Sequence, residues 1–316
     1  MLAKLYKYRP FSVNSLRMIT EAEVFYARPS SFNDPMDCDP TIEVDIGRAS
    51  LEKLLFKLFL QTRDRDTASR DVGYLRYLSS EHGNYLTDPD VEDYLKRLLA
   101  SDIKRELDSE LGNAGVLSLS ATWQSALMWS HYADEHRGIC IEYDTTDQEH
   151  PHLGPVNYTA PRAIKTSDLW RWKMRDDAAS ADKVRQIYFY SKSSEWKYER
   201  EWRDVATTSR AVSVPFRMTA IHFGMRCDSA VVTSIVKLLA DDRTTKLWHI
   251  RPKDDGFKLR RSLVDRDEIE AIGVREPSFL LFKDVVWPDL DEPAQPEPDS
   301  DDIPPVEIPG LPPAEA

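Results

Sequence analysis

The sequence predicts an α+β fold: a single domain over residues 1–286 with a mixed, mostly antiparallel sheet, a helical insertion at about 47–112, and a disordered acidic C-terminal tail over 287–316. Three observations carry this. Short runs alternating apolar and polar residues recur near the start of the chain and again between 211 and 263, as half-buried strands do. Residues 50–103 instead place leucines at helical spacing. From 288 to 316 the chain holds nine Asp or Glu, no Lys or Arg, and nine of its 20 prolines, a composition that cannot offset the entropy of ordering.

In the first strand Leu5, Lys7 and Arg9 share one face and Tyr6 and Tyr8 the other, before Pro10 closes it. Ser12 caps a short helix through Ile19, and residues 23–27 return as a strand. Residues 29–35 form a turn in which Asn33 and Asp34 bond their own backbone and Pro35 fixes the next φ. Asp34, Asp37 and Asp39 stand close enough to be weighed as a cation or ribose site against a plain Asp-rich turn.

Leu51, Leu54, Leu55, Leu58 and Phe59 stripe one insertion helix, and Asp88 with Pro89 opens a second that turns Val91, Tyr94, Leu95 and Leu98 inward. Residues 116–120 lead as a strand into a central helix, 123–136, with Thr122 as N-cap and Gly138 as a left-handed stop. Strands are expected at 139–143 and 156–159, and a helix at 181–190. Trp170 and Trp172 are weighed as a ring-stacking surface against packing on the central helix, and the packing is preferred. Residues 198–205 are read as a strand in preference to a helix. Further strands follow at 211–216, 220–224, 247–251 and 257–263, with a helix at 229–239.

Composition excludes several functions. The chain carries −12, and without the tail's nine acids the body stands at −3, so it lacks the basic footprint of a duplex-DNA binder. Cys38, Cys140 and Cys227 are far apart and form no Cys-x-x-Cys pair, which argues against a disulfide framework or a thiolate zinc site. No apolar run approaches the roughly 20 residues of a membrane span, and the N-terminus is charged where a signal peptide is apolar, so a soluble cytoplasmic protein without membrane association is expected. Walker loops, dinucleotide Gly-rich turns and nucleophile elbows are missing.

Chemistry is concentrated in residues 129–144 and 194–203. His131 and His136 are five apart and diverge by about 140° on a helix of 3.6 residues per turn, so no helical metal pair is expected. His131 and Glu135 have the four-residue spacing of an oriented imidazole. On a strand, Glu199, Glu201 and Arg203 would share one face; two adjacent carboxylates push each other's pKa apart, unless Arg203 neutralises Glu201 in a structural ion pair. Arg9, beside Tyr8, can grip a phosphate or carboxylate with its planar fork.

The order of motifs resembles the bacterial domain of unknown function 2971 family. The residues that carry the resemblance are Tyr6 to Arg9; Pro29 to Pro35; Met128 to Ala133 with His136, Gly138, Ile139, Cys140 and Ile141; and Trp196 to Arg203. That family implies a fold more than a reaction. The chain also resembles, more loosely, ADP-ribosyltransferases, which place an Arg or His on a first strand to hold NAD, an aromatic or hydroxyl residue in the middle, and a late Glu that stabilises oxocarbenium charge. This likeness implies NAD as substrate. Arg9, Tyr8, Asn33 and Asp34 would bind it, Tyr132 or His131 would take the middle role, and Glu199 and Glu201 would be catalytic, Glu201 leading. The alternatives are a metal-assisted nuclease or hydrolase built on Asp37, Asp39, His131 and Glu142, and a non-enzymatic sensor or interaction module in stress or phage defence.

Overall fold

The computed structural model describes residues 3–273 other than 148 and 255, together with 277, 280 and 285. One compact unit runs through Ala271 and a second begins at Ile272. The expected domain boundary near 286 and the acidic tail lie outside the described residues.

The chain opens with β1 (Lys4–Arg9) and α1 (Val13–Thr20). Ser12 caps α1 in a reciprocal box: its Oγ accepts from the Ser15 amide, and the Ser15 Oγ accepts from the Ser12 amide. Next come β2 (Glu23–Phe25), a 3₁₀ turn at Pro29–Ser31, and β3 (Thr41–Glu43). The insertion holds three helices where two were expected: α2 (Arg48–Phe59), α3 (Arg65–Ser80) and α4 (Pro89–Leu111). The extra one, α3, buries a sparse stripe of Ala68, Val72, Leu75 and Ser79 while its tyrosines Tyr74 and Tyr77 stay exposed, which hides the helical period.

After β4 (Gly115–Ser120) the central helix α5 is shorter than expected, Ala126–Tyr132. Ser125, not Thr122, caps it, by accepting from the Met128 amide. The left-handed stop is also placed differently. Asp134, Glu135 and His136 take positive φ of 47°, 50° and 71°, and Gly138 does not. Gly138 is required for another reason: a Cβ there would stand 2.2 Å from the Arg9 carbonyl.

β5 (Ile139–Asp144) follows, then β6 (Leu153–Pro155) just before the strand expected at 156–159, and β7 (Ala163–Lys165). On α6 (Thr166–Arg175), Trp170 and Trp172 pack into the core of the helical layer and not against α5. After α7 (Ala178–Tyr190), residues 198–205 divide: Ser194–Glu199 is a 3₁₀ helix, Arg200 is left-handed at φ 47°, and only β8 (Glu201–Ala206) is strand. The chain continues with β9 (Ala211–Ser213), β10 (Arg217–Phe223), α8 (Ser229–Leu238), β11 (Lys246–Pro252), β12 (Leu259–Leu263) and α9 (Arg266–Ala271).

Eight strands form the main sheet in the order β12-β11-β10-β5-β1-β4-β8-β6, antiparallel except for β10 with β11. Smaller ladders join β2 to β9 and β3 to β7. The architecture is therefore α+β with a mixed, mostly antiparallel sheet and a helical insertion. Alternation along β1 and β5 sends Leu5, Ile139, Ile141 and Tyr143 to the core shared with α1 and α8. It sends Tyr6, Tyr8 and Cys140 to the opposite face, against Met128 and Trp129 of α5. The helical insertion has its own core with α6 and α7. Among the described residues no helix is long and apolar enough to cross a membrane.

Candidate functional site

β1 pairs with β5 at every position from Lys4 to Arg9, but with β4 only where Tyr6 faces Ser120. Further along, the edge of β4 is taken by Ala27, which exchanges both backbone hydrogen bonds with Val116. The two strands part, and a cavity of about 430 Å³ is lined by residues of both.

One wall is a buried charge lattice. Arg203, wholly buried on β8, donates from Nε to Glu201 Oε1 at 2.8 Å and from Nη2 to Glu201 Oε2 at 2.9 Å. The same guanidinium reaches Asp37 from Nη1 and Nη2 at 2.8 and 2.6 Å, and the Phe189 carbonyl at 2.7 Å. Lys192, 5 % exposed, adds Glu199 at 2.5 Å, Glu201 at 3.1 Å and Asp37 at 3.3 Å. Burial alone would raise the Glu201 pKa and lower that of Lys192. The mutual attraction outweighs it, holding Glu201 well below the usual carboxylate range and Lys192 above the usual lysine value. Arg203 is likewise pushed up, its two carboxylate neighbours overcoming burial.

Glu199 differs from Glu201. The left-handed Arg200 between them turns the chain, so Glu199 ends the 3₁₀ helix and points one oxygen at Tyr132, whose hydroxyl donates at 2.6 Å, and the other at Lys192. Burial, with Glu201 adding to it, raises its pKa despite Lys192. The Tyr132 hydroxyl also accepts from Asn33 Nδ2 at 3.4 Å, and burial beside Glu199 pushes it up.

The opposite wall is cationic. Arg9 makes no ion pair among the described residues, its Nε is buried without a hydrogen-bond partner, and burial lowers its pKa. Lys7, two residues before it on the same strand face, donates among the described residues only to the Ser118 carbonyl, at 2.5 Å. Burial, then the neighbouring Arg9, hold the Lys7 pKa well below its usual value against the pull of Glu201. A cavity with two carboxylate-free cations on one side and a raised carboxylate with a phenol on the other suits an anionic ligand that also carries hydroxyl groups.

Of the residues singled out in the sequence, Arg9, Tyr8, Asn33, Asp37, His131, Tyr132, Glu199 and Glu201 line this one cavity, and Asp34 does not. Asp34 is buried and accepts from the Met36 amide, which fixes the turn. Tyr8 contributes its ring only, because its hydroxyl donates to the Thr122 carbonyl at 2.8 Å and its ring meets Trp129 edge-on. His131 is exposed beside Tyr198 and has no Glu135 partner, since the helix ends at Tyr132 and Glu135 pairs with Arg137. Of the residues of the metal alternative, Asp37 and His131 line the cavity and Asp39 and Glu142 do not, and the three carboxylates have different partners. Asp37 joins Arg203, Asp39 joins Lys104 and Arg162, and Glu142 joins Lys4 and Arg261. Among the described residues no group of three His, Cys, Asp or Glu is arranged to hold a metal.

Lys7 and Lys192 were not singled out in the sequence. Lys7 was legible as the neighbour of Arg9 on one strand face; Lys192 has no local signal, because its three partners converge only in the fold. A second buried cluster likewise has no local signal in the sequence. His222 is neutral, its pKa lowered to about 4 chiefly by burial, stacks on Trp123, and lies 3.0 Å from Arg261 Nη1 and 3.3 Å from the Cys140 carbonyl.

The fold and site together define an α+β domain with a charged cleft opened within its central sheet. Residues 128–203 match the model of a family described as a protein of unknown function, DUF2971, which bears out the resemblance read from the motifs. That segment runs from α5 into β8 and includes Tyr132, Lys192, Glu199, Glu201 and Arg203, while Lys7 and Arg9 precede it. No curated protein and no solved structure matches the chain.

Proposed function

We propose that the cavity binds NAD and breaks its N-glycosidic bond, either transferring ADP-ribose to an acceptor or hydrolysing it, with Arg9 on the phosphates and Glu199 as the working carboxylate. The observation that supports this most is that the unpaired Arg9 and the Glu199–Tyr132 pair line one cavity, whose volume lies within the range of about 300–1,000 Å³ typical of small-molecule sites. Glu199 replaces Glu201 as leading residue. Glu201 accepts three charged hydrogen bonds from Arg203 and Lys192, and its charge is already neutralised. In the reaction the C1′–N bond breaks, nicotinamide leaves with the electron pair, and positive charge develops on the ribosyl C1′ and ring oxygen. Ionised Glu199 stabilises that charge and accepts from a ribose hydroxyl in place of Tyr132. An acceptor group or water then attacks C1′ and releases its proton.

The test incubates the full chain with labelled NAD, alone and with cell extract, and follows nicotinamide release and label transfer. Wild type consumes NAD, and Glu199→Gln lowers turnover by about 10²–10³-fold with NAD still bound, the scale for losing one charge-stabilising group. If wild type neither binds nor consumes NAD, the reading fails. Binding without consumption instead supports a nucleotide-sensing module.

A further inference from the structure

Lys7 has no part in the chemistry above, yet its setting is unusual. Lys7 is half-buried, and an ammonium partly withdrawn from water ordinarily sits against a carboxylate. Lys7 sits against a guanidinium neighbour and a single carbonyl, and among the described residues no carboxylate lies within ion-pair distance of either Lys7 or Arg9. The carboxylates of the opposite wall lie within ion-pair distance of Lys192 or Arg203 and not of Lys7. Residues two apart on a strand project to one side with Cα atoms about 7 Å apart, and both Lys7 and Arg9 line the cavity. A ligand with a single phosphate would need Arg9 and no second cation. A second phosphoryl group beside it would give Lys7 the counter-charge the protein withholds.

We infer that Lys7 is a specificity residue, selecting ligands whose anionic part is a diphosphate over those with a single phosphate, because Lys7 and Arg9 together flank the cavity without carboxylate partners. This rests on the reading of Arg9 as phosphate ligand and narrows the ligand class to diphosphate-bridged compounds.

The test titrates inorganic pyrophosphate, inorganic phosphate, ADP-ribose and ribose 5-phosphate into the full chain by calorimetry, for wild type, Lys7→Gln and Lys7→Arg, with circular dichroism confirming that each variant is folded. Wild type should bind pyrophosphate and ADP-ribose at least tenfold tighter than phosphate and ribose 5-phosphate. Lys7→Gln should bring the two pairs together while leaving monophosphate affinity within about twofold, and Lys7→Arg should restore most of the preference. An unchanged preference in Lys7→Gln, or wild-type affinities equal for mono- and diphosphate, overturns the inference. If the preference depends on Lys7 but NAD is neither bound nor consumed, the diphosphate inference stands and the NAD reading falls. If NAD is consumed and Lys7→Gln keeps the preference, the opposite holds.

Discussion

Arg203 and Asp37 meet end to end across 166 residues of chain, Nη1 donating to Oδ1 at 2.8 Å and Nη2 to Oδ2 at 2.6 Å. With Glu201 and the Phe189 carbonyl on the same guanidinium, this contact ties the turn after the first 3₁₀ segment, the end of α7 and the start of β8 into one buried unit. Arg203→Met keeps most of the volume and leaves Asp37 and Glu201 to share Lys192, so it should destabilise the fold by about 3–5 kcal/mol in urea unfolding at neutral pH. The acid limb should change too. A carboxylate whose folded pKa is depressed adds stability above its unfolded value, about 4.3 for Glu, and loses it only as pH falls through the folded value. For Glu201 that value lies well below the usual range. Wild type should therefore keep this contribution at pH 4, and the variant should not have it to keep.

Glu199→Gln should behave in the opposite sense. The folded pKa of Glu199 is raised, so its ionisation opposes folding as pH climbs through the folded value. Removing the charge should leave the melting temperature at pH 7–8 equal to or above that of wild type while turnover collapses, as expected where a site has traded stability for function. A variant that melts several degrees lower would assign Glu199 to the scaffold.

Gly138→Ala tests a backbone contact. Its Cβ would lie 2.2 Å from the Arg9 carbonyl and 3.0 Å from that of Ala133, both backbone atoms, so strands must shift. A loss of about 1–3 kcal/mol or more is expected, with weaker NAD binding because Arg9 moves with its carbonyl. Gly73→Ala within α3 meets nothing within 4 Å and should instead stabilise by about 0.5–1 kcal/mol. Equal effects from the two would show that the close approach at Gly138 is not limiting.

Ligand binding should be linked to proton uptake. Lys7 is held below its usual pKa by burial and by Arg9 on its own strand, against Glu201 from β8. The other charged or titratable groups facing the cavity are Tyr6, Tyr8, Asp37, His131, Tyr132, Lys192 and Glu199. A bound dianion favours the ammonium, so between the depressed value and the ordinary lysine value of about 10.4 the complex takes up protons and affinity falls as pH rises. Calorimetry of pyrophosphate binding in buffers of different ionisation enthalpy measures the uptake. It should shrink in Lys7→Gln, which leaves the ligand's own titration as the residue.

The parts of this architecture that were legible in the sequence are those whose cause is local. Ser12 before α1, Pro89 at the first turn of α4 and the alternation in β1 and β5 each act within a few residues, and the fold keeps them. Gly138 has the residue type of a helix stop, but the reason for a glycine there is a tertiary approach of Arg9 and not its own φ. In the site, Arg9, Tyr132 and the two glutamates could be named from residue type and order. Which glutamate is spent on the scaffold could not, because that depends on Asp37 and Lys192 arriving from elsewhere and on the left-handed Arg200 turning one carboxylate away from the other.

The single position at which β1 meets β4 makes the central sheet two plates joined by a pin. β12 through β1 form one plate and β4 through β6 the other, each laddered internally. Turning the plates about the Tyr6–Ser120 pair would break no other pair of the main ladder, yet Leu117 and Leu119 of β4 and Leu153 of β6 share one core with Leu5 of β1 and Ile141 of β5, and the Lys7 ammonium on the Ser118 carbonyl is a side-chain tie across the gap. The packing of that core, and not backbone pairing, therefore sets the width of the cleft, while the chemical groups on each plate keep their internal spacing.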